Sequence, residues 1–286
     1  MAVNAPAVSH GTAPATGSAS PLTAAYDRLT EVFPTLQVIE SAAPLTGEGW
    51  ITARSLAEGG PAADAFLAWD AAQIERDYGQ QGRPDVIASF ALHRYAFPLC
   101  LLVTVPWFLH RRVPRIPLDA VSYNRDLGRI SVRIEDFACL PGDPAGGSAG
   151  ARTVPGEEAL RAEVRAAVAE HMEPVLEGFR PRVRRGARAL WGMATDEITE
   201  GVWYLGRLLG EEKRAVREAA ALLPGRTAPY ARGASFRELS GPCGERLQTR
   251  DRASCCMYYT LRPEETCVTC PRTRDAERIE RLAPTR

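Results

Sequence analysis

Cysteine crowding near the carboxyl end constrains this chain more than any other feature. The sequence holds seven cysteines, Cys100, Cys139, Cys243, Cys255, Cys256, Cys267 and Cys270, and four of them fall within 16 consecutive positions. Those four read C-C-x10-C-x2-C, inside a polar, turn-rich stretch from Arg226 onward. That stretch has too little apolar material for a core of its own, so packing alone cannot offset the entropy of ordering it. Thiols close in sequence offer another organiser, because as thiolates they converge on metal without a long loop closure.

The spacing narrows the choice of metal without settling it. Structural zinc usually takes two ligand pairs, each with about two to four residues between the ligands. Cys255 and Cys256 are adjacent, and in extended backbone neighbouring side chains point to opposite sides, which suits that tetrahedral pattern poorly. A two-iron cluster spreads four thiolates over two irons and tolerates an adjacent pair better. Iron–sulfur ligation, zinc and unligated redox thiols all remain open on spacing. A disulfide framework is disfavoured by the odd count and by the lack of an export signal.

The residues around the cysteines add a resemblance. Arg252-Ala253-Ser254-Cys255-Cys256-Met257-Tyr258-Tyr259, closed by Cys267-Val268-Thr269-Cys270-Pro271, resembles the C-terminal signature of the FhuF-like ferric siderophore reductases. Leu92 to Leu109 with Pro117 and Asn124 resembles that family's apolar helix and short strands, and Leu190-Trp191-Gly192-Met193-Ala194 its Leu-Trp-x-x-Ala helix start. Where the family often has Gly-Asp between the last two cysteines, this chain has Val268-Thr269. The resemblance implies a [2Fe-2S] cluster held by Cys255, Cys256, Cys267 and Cys270. It also implies one-electron reduction of a ferric siderophore to release Fe(II). The rival reading is a non-catalytic sensor or binding module whose cluster or zinc only stabilises the lobe.

Arg252, Tyr258 and Tyr259 are the residues expected beside the cluster. Arg246, Arg250, Arg262, Arg272 and Arg274 also flank the ligands, and any that point inward would favour the reduced state. A second basic group, Arg180, Arg182, Arg184, Arg185 and Arg188, could receive an anionic siderophore or an acidic electron donor, or form a solvated face. His93, His110 and His171 show no mutual metal spacing and read as structural. No phosphate-binding G-x-x-x-x-G-K-[ST] loop or dinucleotide G-x-G-x-x-G fingerprint occurs. Electrons are therefore expected from an external donor, a reduced flavin, a ferredoxin or an NAD(P)H-dependent reductase.

Thirty-five basic residues balance 35 acidic ones, so no overall field draws the molecule to nucleic acid. The longest apolar run, Tyr95 to Leu109, holds Pro98 and Pro106 and is shorter than the roughly 20 residues of a bilayer span. It reads as a buried core helix, kinked or split by its prolines. The expectation is a cytosolic protein without a transmembrane segment, with peripheral membrane association left open.

Periodicity gives a predominantly helical α+β fold. Helices are expected over Leu22 to Phe33, Pro61 to Tyr78, from Pro84 into the apolar run, Glu157 to Phe179, Arg184 to Leu209 and Glu211 to Leu223. Val113 to Leu118, Ala120 to Asn124 and Arg129 to Ile134 read as a small antiparallel sheet with Arg-Asp-Leu-Gly as a hairpin turn. The regions expected are a disordered tail 1–22, a helical and small-sheet region 23–140, a Gly/Pro-rich linker 141–155, a helical region 156–225 and a cluster-binding lobe 226–286.

Overall fold

The computed structural model describes residues 20–283, so most of the stretch read as a tail lies outside them. Leu22, the last residue of that stretch, is fully buried at the start of the first helix. The elements are α1 (Thr23–Val32), β1 (Gln37–Glu40), β2 (Trp50–Thr52), α2 (Ala53–Glu58), α3 (Gly60–Tyr78) and α4 (Pro84–His110). Five short strands follow: β3 (Arg112–Pro114), β4 (Val121–Asn124), β5 (Arg129–Val132), β6 (Phe137–Cys139) and β7 (Ala151–Thr153). Then come α5 (Glu157–Val183), α6 (Ala187–Leu208), α7 (Glu212–Leu222), β8 (Phe236–Ser240), β9 (Arg246–Arg250) and α8 (Asp275–Leu282).

Helix α4 is the axis of the molecule. It is apolar all the way round, and α1, α3, α5 and α6 pack against it. Its length and composition would suffice to cross a membrane, but most of the helix is buried inside the protein. The expected break at its prolines does not occur: Pro98 and Pro106 both lie inside one continuous helix of 27 residues. An interior proline removes a hydrogen bond and costs roughly 3 kcal/mol, yet burial of nearly every side chain from Val86 to Phe108 outweighs it.

The strands make three small sheets. One has the order β1-β5-β4-β2, with β4 antiparallel to both β5 and β2 and β1 parallel to β5. Its β4–β5 turn is the expected Arg125-Asp126-Leu127-Gly128 hairpin, with Gly128 at φ 60°. The strand expected over Val113 to Leu118 leaves that sheet: β3 pairs antiparallel with β6, and β7 runs parallel beside β6. Thus the 141–155 stretch itself contributes a strand. One hydrophobic core reaches from Leu22 to Ala234 and takes side chains from both sides of that stretch.

Past residue 234 the β8–β9 hairpin, the cysteine loops and α8 form the C-terminal lobe. A second, smaller apolar cluster docks it: Met257 and Leu261 of the lobe meet Ile74 of α3 and Val86 and Phe90 of α4. The helical scaffold thereby comes to face the cysteine segment.

Candidate metal centre and the cleft beside it

The first cysteine loop is placed by α6. Arg250, at the end of β9 and fully buried, donates to Asp196 at 2.8 Å and to Glu200 at 2.7 Å. Asp196 then accepts the backbone N–H of Ala253 on one carboxylate oxygen and that of Ser254 on the other, each at 2.8 Å. A buried carboxylate with three donors is satisfied on both oxygens, and it fixes the backbone entering Cys255. Arg185 donates to Ser254 Oγ at 3.1 Å and to the Cys255 carbonyl at 2.7 Å, and Ser89 donates to the Cys256 carbonyl at 3.4 Å. Gly192 of α6 lets this loop approach: a Cβ there would lie 3.2 Å from the Ala253 carbonyl oxygen and 3.3 Å from Ser254 Cβ.

Beyond Cys256 the chain reverses at Met257, whose φ of 69° is left-handed, into a short 3-10 turn at Tyr258–Thr260. The second loop is tied by Thr273, which donates to the Cys267 carbonyl at 2.8 Å. Arg278 of α8 donates to the Cys270 carbonyl at 2.9 Å and to Asp251 at 2.7 Å. Every backbone carbonyl of the four cysteines is therefore held by a named partner, the Cys270 N–H completing the set by closing a turn onto Cys267 O at 2.9 Å.

The sulfurs of Cys256 and Cys267 lie 3.9 Å apart. With metal–sulfur bonds of about 2.3 Å a tetrahedral S···S edge is about 3.8 Å, so this pair is spaced to share one metal. The pairing joins the two loops, one sulfur from each. Cys255 Sγ accepts the Met257 N–H and Cys270 Sγ accepts the Arg272 N–H, both at 3.4 Å. Backbone donors aimed at sulfur stabilise thiolate and tune a bound cluster. Among the described residues no three His, Cys, Asp or Glu side chains already converge as a finished site for a single metal ion. An all-sulfur donor set, one edge at bonding separation and two N–H···S contacts fit a thiolate-held cluster.

Charge around the sulfurs is arranged asymmetrically. Arg252 is largely buried, pairs with Glu197 at 3.1 Å and lies 3.5 Å from Asp196. Burial alone would lower its pKa, but Asp196, Glu197 and Cys256 hold it above the ordinary arginine value. Burial pushes the Glu197 carboxyl up; His93, bonded at 2.6 Å, and the two arginines outweigh that and keep it below the usual range. The Cys256 thiol is held below its ordinary pKa by the hydrogen bond from Cys267, against burial and with help from Arg252.

Cys256 and Cys267 open onto a cleft of about 640 Å³ between lobe and scaffold. His93, Glu197, Arg252 and Tyr258 line it too, and Phe33, Trp69, Phe90, Phe97 and Tyr123 give it an aromatic lining. Arg94 and Arg125 also reach the cleft, and both pair with Asp70, which is fully buried. Burial raises the Asp70 pKa even against those two cations. The Arg125 guanidinium lies 4.0 Å from the centre of the Trp69 ring.

Of the residues expected beside the cluster, Arg252 and Tyr258 line the cleft. Tyr259 turns aside beneath Arg272, 4.1 Å from its ring centre. Arg250 is drawn into α6, Arg246 pairs with Glu238, and Arg262 sits over Tyr78. Cys100 and Cys139 are buried, and Cys243 lies in the turn between β8 and β9. Sequence reasoning missed Asp196, Glu197, His93 and Ser89. The one signal available was Asp196-Glu197, two acids inside an otherwise apolar helical pattern.

A turn-rich lobe with four clustered cysteines, clamped by buried ion pairs onto a helical scaffold and opening on a cleft, is the class of site the fold presents. The family model of the FhuF 2Fe-2S C-terminal domain matches residues 252–272, which contain all four clustered cysteines. The chain carries this domain, and the group the domain points to is a [2Fe-2S] cluster. A search of curated proteins returns no match.

Proposed function

We propose that this protein is a cytosolic ferric siderophore reductase in which Cys255, Cys256, Cys267 and Cys270 hold the cluster and the adjoining cleft takes the iron chelate. One observation carries the reading: Cys256 and Cys267 line a cleft of about 640 Å³. A purely structural metal has no need of a cavity at its ligands. When bound, a [2Fe-2S] cluster supplies one electron at a time.

The chemistry asks little else of the chain. A siderophore holds Fe(III) through hard oxygen donors and loses its grip when the ion becomes Fe(II), so release needs one electron from a nearby donor. The aromatic walls supply apolar contact area and exclude water, while Arg94 and Arg125 offer guanidinium edges to the oxygen donors. Arg252 places positive charge beside Cys256, and Glu197, which pairs with Arg252 and bonds His93, balances it, so charge arriving there is accommodated within a partly buried network. The electron itself comes from an external reductant, a flavin, a ferredoxin or an NAD(P)H-dependent reductase.

The test uses protein purified anaerobically with its cluster. Reduced protein is mixed with ferric hydroxamate and ferric catecholate chelates and a ferrous trap, and the visible spectrum is followed. Reoxidation with one trapped Fe(II) per cluster is expected for at least one chelate class. Chelate binding without reoxidation would turn the reading into that of a sensor, and a colourless protein with one zinc per chain would end it.

A further inference from the structure

The basic turn between α5 and α6 meets the cysteine loop from a direction the cleft does not use. Cleft-lining residues include Cys256 and Cys267 but neither Cys255 nor any residue of this turn. A separate shallow depression is lined by Arg180, Arg184, Arg185 and Gly186 together with Glu177. Arg185 joins it to the metal centre through its bonds to Ser254 Oγ and the Cys255 carbonyl.

Not all of these cations are equivalent. Arg180 pairs with Glu177, and Arg182 pairs with Asp64, so their charge is answered locally. The guanidinium groups of Arg184 and Arg188 are exposed and take no ion-pair partner among the described residues. Nor does helix stability explain Arg188. It lies in the first turn of α6, which has no acidic residue, and a cation there opposes the helix dipole. Two unanswered cations thus stand beside Arg185, one side chain from Cys255.

We propose that Arg184, Arg185 and Arg188 at the α5–α6 turn form the docking surface for an acidic protein electron donor. This rests on the reading of the cleft as the chelate's seat: a bound chelate covers the Cys256 and Cys267 side, so an electron arriving during turnover has to enter elsewhere. In the transfer a reduced ferredoxin or flavodoxin loses one electron and the [2Fe-2S] centre gains it; no bond forms or breaks. Opposite charge steers such weak, short-lived encounters and makes them sensitive to salt.

The probes are a purified acidic [2Fe-2S] ferredoxin and a flavodoxin, titrated calorimetrically into the cluster-loaded protein at low and high ionic strength. Binding to at least one is expected at low salt and lost at high salt. The double variant Arg184→Glu/Arg188→Glu should weaken it at least tenfold, with the visible spectrum and dithionite reduction unchanged. Binding to neither donor, or equal binding by the variant, overturns the proposal. So does salt-sensitive binding to phosphatidylserine vesicles in place of the donors. If the donors bind as expected while no ferric chelate reoxidises the centre, the docking surface stands and the reductase reading falls.

Discussion

At the scale of single residues the centre depends on groups far away in sequence. Asp196 holds two N–H groups of the cysteine loop and the buried Arg250. Removing one partner of such a buried pair leaves an uncompensated charge and costs about 3 kcal/mol. Asp196→Asn should lower the unfolding free energy by that amount, read as a lower urea midpoint, and reduce the iron content of the purified protein; unchanged iron and midpoint would mean the loop holds itself. Arg252 makes a different prediction. Its cation beside Cys256 favours the state with one more negative charge, so Arg252→Gln should lower the reduction potential in a dye-mediated redox titration. A rise would place the cation's effect elsewhere. The clustering of the four cysteines was legible because their spacing is local. Asp196, Glu197 and His93 were not, because their partners stand from about 50 to over 100 positions away in the chain. The aromatic cleft was illegible for the same reason, since Phe33, Trp69, Phe97 and Tyr123 come from four separate elements or turns.

Individual elements followed the periodicity wherever their environment was one-sided. α3, α5, α6 and α7 begin and end within a few residues of their apolar pattern, since Gly79 and Pro224-Gly225 punctuate the chain sharply. α4 differs because its prolines argue for a break while its tertiary surroundings argue for continuity, and burial on every side prevails. The sheets were only partly visible. The β4–β5 hairpin is local, but β1 joins β5 across about 90 residues and β6 recruits β7 in parallel, pairings no turn announces. Helix crossings carry their own prediction. A Cβ on Gly206 of α6 would lie 2.2 Å from Ala215 Cβ of α7, and one on Gly178 of α5 would lie 2.1 Å from the Ala57 carbonyl oxygen of α2. Glycine to alanine inside a helix normally gains up to about 1 kcal/mol. Here the crossing has to open, so Gly206→Ala and Gly178→Ala should each destabilise by roughly 1–3 kcal/mol in denaturant unfolding. A gain in either would show the crossing to be looser than the backbone spacing indicates.

Across the whole molecule the cleft is shaped by scaffold and lobe together, so its geometry is only as firm as the core behind α4. At the centre of that core His171 of α5 is fully buried, bonded to the Tyr95 hydroxyl of α4 at 2.7 Å and to the Ile116 carbonyl at 3.0 Å. One ring nitrogen donates to the carbonyl, so the other accepts from tyrosine, and the ring is held neutral. Burial pushes its pKa down to about 4. An unfolded histidine titrates near 6.5, so between those values the unfolded chain takes up a proton that the folded chain refuses. Stability from the neutral ring is therefore complete above about pH 6.5 and is lost as pH falls toward 4, to a ceiling of roughly 3 kcal/mol. The carboxyls of Glu197, Asp143 and Asp251 are held below their usual range and add their own losses only at still lower pH. Asp70, shifted upward, works in the opposite sense. Urea midpoints measured at pH 7 and pH 5 should therefore differ markedly in the native chain and much less in His171→Gln, whose amide can still donate to Ile116 and accept from Tyr95. An equal pH dependence in the two proteins would move the acid sensitivity away from this histidine, and with it the claim that the core behind the cleft is locked by a neutral ring.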